Sequence, residues 1–328
     1  MNIMLKLENV TKIYPGAEHI KAVDELSFDL PEGEICTVVG PSGCGKTTAM
    51  KMINRLIPMT SGKIYIDGQN VNRLDTIELR RNIGYVIQNI GLIPNMTIAE
   101  NIAVVPKMKG WDKDRITERA ESLLELINLP PEEFMDRYPR ELSGGQQQRI
   151  GVARAMAIDP PIMLMDEPFG AIDPINREHL QNEFLKIQDK VKKTIVFVTH
   201  DIDEAIKMGD KICLLKAGKL VQFAAPETML TEPANEFVSD FLGGDRTLKR
   251  LNLLKLKAAM RPDPPMMMGE ESPEKAKEML TELKLDNLIV VDAEKRLLGY
   301  VNHEALEKQA DEISKITKST DSFMSASS

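Results

Sequence analysis

From the start of the chain to about Gly243, short unbroken apolar runs alternate with longer stretches of helical periodicity. That pattern predicts an α/β domain built on a mainly parallel sheet. Four runs carry it: ICTVVG (Ile35 to Gly40), PIMLMDE (Pro161 to Glu167), TIVFVTH (Thr194 to His200) and KICLLK (Lys211 to Lys216). Continuous apolar runs of this kind suit central strands covered on both faces. The segments KLENVTKIY (Lys6 to Tyr14) and SGKIYIDG (Ser61 to Gly68) alternate more and end in turn residues, so a small antiparallel sheet is expected there.

Between about Ile98 and Asp159 the pattern turns mostly helical, with an apolar stripe at Leu123, Leu124, Leu126 and Ile127 that is broken at Pro130. An inserted helical subdomain is expected. GGD at Gly243 to Asp245 marks a boundary, and LKRLNLLKLK after it predicts an amphipathic linker over residues 244–256. The remainder changes character. Ser272 and Pro273 read as a helix start, followed by Ala276, Met279, Leu280 and Leu283 at helical spacing. NLIVVDAEKRLLGYV then predicts two strands joined by a polar turn, with a further helix from Asn302.

A length of 328 residues exceeds what one core usually supports, which agrees with a large domain and a small one. No apolar run approaches the roughly 18 to 20 residues of a membrane helix. The opening MNIMLKLENV has no secretory signal pattern, so a cytosolic location is expected. Cys36, Cys44 and Cys213 match no zinc or redox spacing and are expected as free thiols. His19, His179 and His303 likewise fall at no metal-ligand spacing. A net charge of −8 argues against nucleic acid as a partner, because phosphate-backbone binding relies on clustered cations.

The chemistry sits at the ends of the predicted strands. GPSGCGKT at Gly40 to Thr47 fits G-x-x-x-x-G-K-[ST] and lies between a buried strand and a helical run. In such a loop backbone N–H groups curl around phosphate oxygens, Lys46 neutralises phosphate charge and Thr47 offers a hydroxyl to Mg²⁺. Gly40, Pro41, Ser42, Gly43, Cys44, Gly45, Lys46, Thr47 and Thr48 form the expected nucleotide-binding set. Asp166, with Thr47 and Gln88, is expected around Mg²⁺, and Glu167 is expected to orient or deprotonate an attacking water. For two acids after an isolated strand a polar turn is the simpler reading. Here Lys46, Asp166 and His200 all follow predicted parallel strands, at the rim where open α/β sheets bind ligands. Cys44 beside Lys46 lies in a setting that can lower a thiol pKa, and its alternative role is that of a small residue tolerated by the loop.

LSGGQ at Leu142 to Gln146 reads as a helix start, with Ser143 and the amides of Gly144 and Gly145 offering donors to anionic oxygens ahead of Gln146. With GPSGCGKT, the glutamine Gln88 in YVIQN, GAID with Asp173, and His200 in VTHD, the chain up to about Gly243 resembles the ATP-binding subunit of an ABC transporter. The resemblance implies catalytic roles for Glu167, His200 and Gln88, adenine stacking on Tyr14, and a signature loop (Ser143 to Gln146) that serves the ATP of a second copy in a head-to-tail homodimer. It also implies coupling through Asp173, a membrane permease as partner, and a peripheral place on the cytoplasmic face of the cell membrane.

QNIGLIPNMTIAENI (Gln88 to Ile102) and FGAIDPINREHLQNEF (Phe169 to Phe184) resemble the quaternary-amine uptake branch, which imports glycine betaine, carnitine or choline. Aromatic residues make up 5% of the chain and form no cluster, so an aromatic cage for such a cation is expected on a separate substrate-binding protein or the permease. Residues 257–312 resemble a CBS repeat and 313–328 the opening of another, with Met324 repeating the place of Met260. The chain is therefore expected to break off inside a second repeat. A complete pair would suit an adenine-containing regulator such as cyclic di-AMP, sensing of ionic strength, or dimer strengthening. Where the CBS pattern has Thr or Ser followed by Asp, this chain has Asn302 and Ala305, so its pattern for ribose binding is not met. The alternatives are an importer ATPase for another small solute, a non-transport ABC ATPase, and a nucleotide sensor with little turnover.

Overall fold

The protein is described from a computed structural model, which places residues 2–16, 19–88, 91–170, 172–253, 264–294, 296–307, 313 and 317. The chain divides into two compact units, Met1–Leu253 and Leu254–Ser328.

In the first unit an antiparallel sheet is formed by β1 (Ile3–Ile13), β2 (Lys21–Pro31), β4 (Ser61–Ile66) and β5 (Gln69–Asn70), in the order β2-β1-β4-β5. A second sheet of six strands has the order β10-β9-β3-β8-β7-β6. Its strands are β3 (Ile35–Val39), β6 (Ile83–Val86), β7 (Ile162–Asp166), β8 (Thr194–Val198), β9 (Lys211–Lys216) and β10 (Lys219–Ala224). All its neighbours pair parallel except β10, which folds back antiparallel on β9. The strands β3, β7 and β8 are buried at every position, as their unbroken apolar sequence requires.

Helix α1 (Lys46–Ile53) follows β3, and α2 (Thr76–Arg81) precedes β6. The helical insertion holds α3 (Ile98–Met108), α4 (Lys113–Leu126), α5 (Pro131–Phe134) and α6 (Gly144–Ala155). Leu123, Leu124 and Ile127 are buried in it, and Pro131 opens α5 where the helical stripe was expected to break. One core joins the antiparallel sheet, α1 and one side of the large sheet through Leu5, Leu26, Met50, Val196 and Val198. Another joins the opposite side to the insertion and α7 (Pro174–Val191) through Phe134, Ile150, Met165, Phe184 and Phe197. A third lies among β9, α8 (Ile202–Met208), α9 (Pro226–Thr231) and α10 (Glu236–Leu242). In the segment expected as a linker, α11 (Arg246–Leu253) packs against α8 and α9, and Lys249 Nζ reaches Leu242 O at 2.8 Å and Asp203 at 3.0 Å.

In the second unit β11 (Met266–Met268) pairs parallel with β12 (Asn287–Val291), which pairs antiparallel with β13 (Leu297–Asn302). The helix α12 (Pro273–Glu282) starts at Ser272, whose hydroxyl accepts from Lys275 N. Met267, Ala276, Leu280, Leu288 and Val290 form its core. Beyond Asn302, where a helix is expected, a 3-10 turn spans Ala305–Glu307. Met260 and Met324, on which the repeat period rests, lie outside the described residues, as does the linker beyond Leu253.

Candidate active site

The chain leaves β3 at Val39 and turns through Gly40 to Gly45 before α1 begins at Lys46. Two of those glycines have no substitute. A Cβ on Gly40 (φ +144°) would lie 2.1 Å from Leu215 O, and one on Gly45 (φ +104°) would lie 2.3 Å from Ala22 O. The loop is closed by Cys44 N donating to Pro41 O at 3.2 Å, and Pro41, Ser42 and Gly43 form its exposed lip. Inside it Lys46 is 8% exposed, and its Nζ donates to Gly40 O at 2.7 Å and Pro41 O at 3.3 Å. The positive end of α1 and the ammonium thus lie at one loop.

Thr47, with Thr48 behind it in α1, turns a hydroxyl toward the end of β7, where Thr47 Oγ1 donates to Asp166 Oδ1 at 3.3 Å. Burial pushes the Asp166 carboxyl above its ordinary range; Thr47 opposes this, and the neighbouring Glu167 adds to it. A desolvated carboxylate beside a hydroxyl is the oxygen donor set that a hard cation such as Mg²⁺ takes when phosphates complete its shell, so these residues fit the ion.

Glu167 adopts φ +45°, a conformation uncommon outside glycine, and its N–H donates to Val198 O at 2.9 Å. Phe169 anchors the turn, with its ring centroid 6.2 Å from that of Phe184 and 5.9 Å from that of Phe197. The Glu167 side chain is thereby aimed outward from the strand end. Its Oε2 accepts from Gln88 Nε2 at 2.9 Å and lies 3.3 Å from His200 Nδ1. The three residues expected to be catalytic therefore meet at one carboxylate oxygen.

The signature loop lies elsewhere. Ser143 caps α6 in a reciprocal box with Gln146: Ser143 Oγ accepts from Gln146 N at 3.3 Å, and Gln146 Oε1 accepts from Ser143 N at 2.9 Å. Ser143, Gly144, Gly145 and Gln146 line a groove of about 320 Å³ together with Asp173, Asn176 and His179. No residue of the phosphate-binding loop lines it. The expected site is thus brought together in two halves, one around Lys46, Asp166 and Glu167 and the other around Ser143 and Asp173.

An ABC transporter family profile matches residues 23–170. The osmoprotectant import ATP-binding protein OsmV of Salmonella typhimurium is 53% identical over 301 residues, which cover 91% of this chain and 79% of that protein. The chain belongs to the ATP-binding subunits of ABC transporters. This ABC ATPase is also 52% identical over 306 residues to the glycine betaine/carnitine/choline transport ATP-binding protein OpuCA of Bacillus subtilis, covering 93% and 80% of the two chains. Its fold is shared with the cassette MJ0796, solved as a dimer in a post-hydrolysis state with ADP and phosphate. That match has a TM-score of 0.59 at 38% identity and covers 68% of this chain and 99% of the other. ABC ATPases of this kind hydrolyse ATP with Mg²⁺, pair with membrane permeases and form dimers. Among the described residues, no helix is long and apolar enough to cross a membrane.

Tyr14 stands just past β1, 39% exposed, with Lys12 Nζ 5.0 Å from its ring centroid, so its ring keeps an accessible surface. Cys44 does not support the activated-thiol reading. It is buried, and burial raises its pKa despite Lys46, which leaves it as a small residue that fits the loop. His179, which falls at no metal-ligand spacing, and Asn176, which no motif singles out, both line the signature groove. Their spacing of three residues puts Asn176 and His179 on one side of α7, the one signal the sequence carries.

Proposed function

We propose that this ABC ATPase powers import of quaternary-amine osmoprotectants, glycine betaine, carnitine or choline, from the cytoplasmic face of the membrane. A separate binding protein captures the solute. The observation that carries the chemistry is the Glu167 carboxylate held between Gln88 and His200, beside the Thr47–Asp166 pair. Glu167 takes a proton from the attacking water, His200 and Gln88 hold that carboxylate in place, and Lys46 offsets phosphate charge. Thr47 and Asp166, with Gln88, would hold Mg²⁺, which would supply further positive charge for the phosphate oxygens. The solute class rests on the identity to OsmV and OpuCA over nine tenths of the chain. The strand, helix and hairpin order of the second unit supports a CBS-like regulatory module, for which cyclic di-AMP is the ligand to titrate against the full chain.

Glu167→Gln preserves the size of the side chain and removes the base. It is expected to bind ATP and dimerise with it while turnover falls by about 100-fold or more. Near-normal turnover would take the base role from Glu167. For the solute, the reconstituted transporter is expected to take up labelled betaine, carnitine or choline; uptake of none of these alongside another small solute would move the assignment to that solute.

A further inference from the structure

His200 is 62% exposed, so its place beside Glu167 is set by the backbone on either side of it. Both sides are tied to one face of α7. On the N-terminal side Thr199 is buried, its Oγ1 accepting from Asp201 N at 3.0 Å and its hydroxyl lying against the Glu204 carboxyl, whose Oε1 accepts from Gln181 Nε2 of α7 at 2.9 Å. Gln181 and Glu204 are each 6% exposed, so this bond lies out of water, where a polar contact is costly to leave unmade. On the C-terminal side Asp201 caps α8, its Oδ1 accepting from Asp203 N at 2.8 Å and Glu204 N at 3.2 Å. Its other oxygen lies 3.9 Å from Arg177 Nη1.

Arg177 and Gln181 are one turn apart and so share a face of α7. The second arm of the Arg177 fork reaches backward, with Nη2 donating to Ile172 O at 2.9 Å, one residue before Asp173. Its Nε is buried without an acceptor, and the partners of the guanidinium are Ile172 O and Asp201. Asp173 in turn caps α7, accepting from Asn176 N at 3.1 Å.

We propose that Arg177 is a positioning residue that locks the Asp173 loop and the Thr199–Asp201 segment into one body through α7, with the Gln181–Glu204 bond as its second attachment. The surface carrying Asp173 and the signature groove is thereby linked to the side chain that holds Glu167, although no nucleotide contact is assigned to Arg177. The inference rests on the reading of His200 as a residue needed for turnover.

The test is steady-state ATP hydrolysis by the full chain. Arg177→Ala is expected to lower kcat about tenfold with KM for ATP within about twofold, because the loss falls on alignment rather than on binding. Asp201→Asn keeps a good helix cap while removing the charge, and is expected to give a similar loss. The double variant is expected to be no worse than the poorer single one, and Arg177→Lys to recover part of the loss. Additive losses, an unchanged kcat, a rise in KM alone, or a kcat loss that follows a loss of folded protein in thermal melts would each overturn the proposal. His200→Ala separates the two readings. If it keeps full turnover, the role given to His200 fails; if it loses turnover while Arg177→Ala keeps it, the positioning role alone fails.

Discussion

At the scale of single residues, burial decides which polar groups carry information. Glu204 is the clearest case: burial pushes its carboxyl above the ordinary value, against the pull of Thr199, Gln181 and Arg177. A carboxyl with a raised folded pKa contributes stability that is present below the unfolded value and is lost as pH rises through the folded one. Glu204→Gln keeps an acceptor for Gln181 and cannot ionise. Its stability relative to the parent is therefore expected to be level in acid and to grow as pH rises toward neutrality, as read from urea midpoints across pH. A constant offset at every pH would show that Glu204 does not change charge on folding. None of this was legible in the sequence. Arg177, Gln181 and Glu204 look like solvent-facing positions until α7 packs against α8, whereas Lys46 and Glu167 announce themselves because loop geometry restricts their neighbours to particular residue types.

At the scale of elements, legibility followed local constraint. The strands β3, β7, β8 and β9 were readable because burial on both faces demands an unbroken apolar run. The helix α6 was readable at its start because Ser143 and Gln146 can cap each other. Strand β2 was not singled out: its buried Val23, Leu26, Phe28 and Leu30 are separated by Asp24, Glu25, Ser27 and Asp29, and only pairing with β1 gives that pattern a partner. The short β6 also escaped, with four residues that acquire meaning beside β7.

The segment between Gln88 and α3 shows the same dependence on packing. Asn101 is fully buried in α3, where its amide donates to Ile93 O at 3.2 Å, Met96 O at 3.1 Å and Thr97 O at 2.9 Å, and its oxygen accepts from Ile93 N at 2.7 Å. One side chain thus satisfies four backbone groups of a loop. Asn101→Ala is expected to cost about 2 kcal/mol in urea unfolding at an unchanged slope, since Met96 O and Ile93 N would lose their side-chain partner. Amide exchange at Ile93 is expected to quicken by a larger factor than in β7. A loss below about 1 kcal/mol would show that the loop finds other partners.

At the scale of the whole molecule, the separation of the two half-sites leads to a test for a second copy. Lys46 and Glu167 lie on one side of the first unit's active machinery, while Ser143 to Gln146 line a separate groove with Asp173. The dimeric cassette MJ0796 supplies the precedent for two such chains together. If each ATP lies between Lys46 of one copy and Ser143 of the other, Lys46→Ala and Ser143→Arg are each silent as homodimers. Co-assembled from equal amounts, they place both defects in one site of a mixed dimer and leave the other site whole. About a quarter of all sites would then be intact under random pairing, and ATP turnover is expected to reappear on mixing and to scale with the fraction of mixed dimers. A site complete within one chain predicts the opposite, since each chain would keep its own defect and the mixture would stay as inactive as its parts.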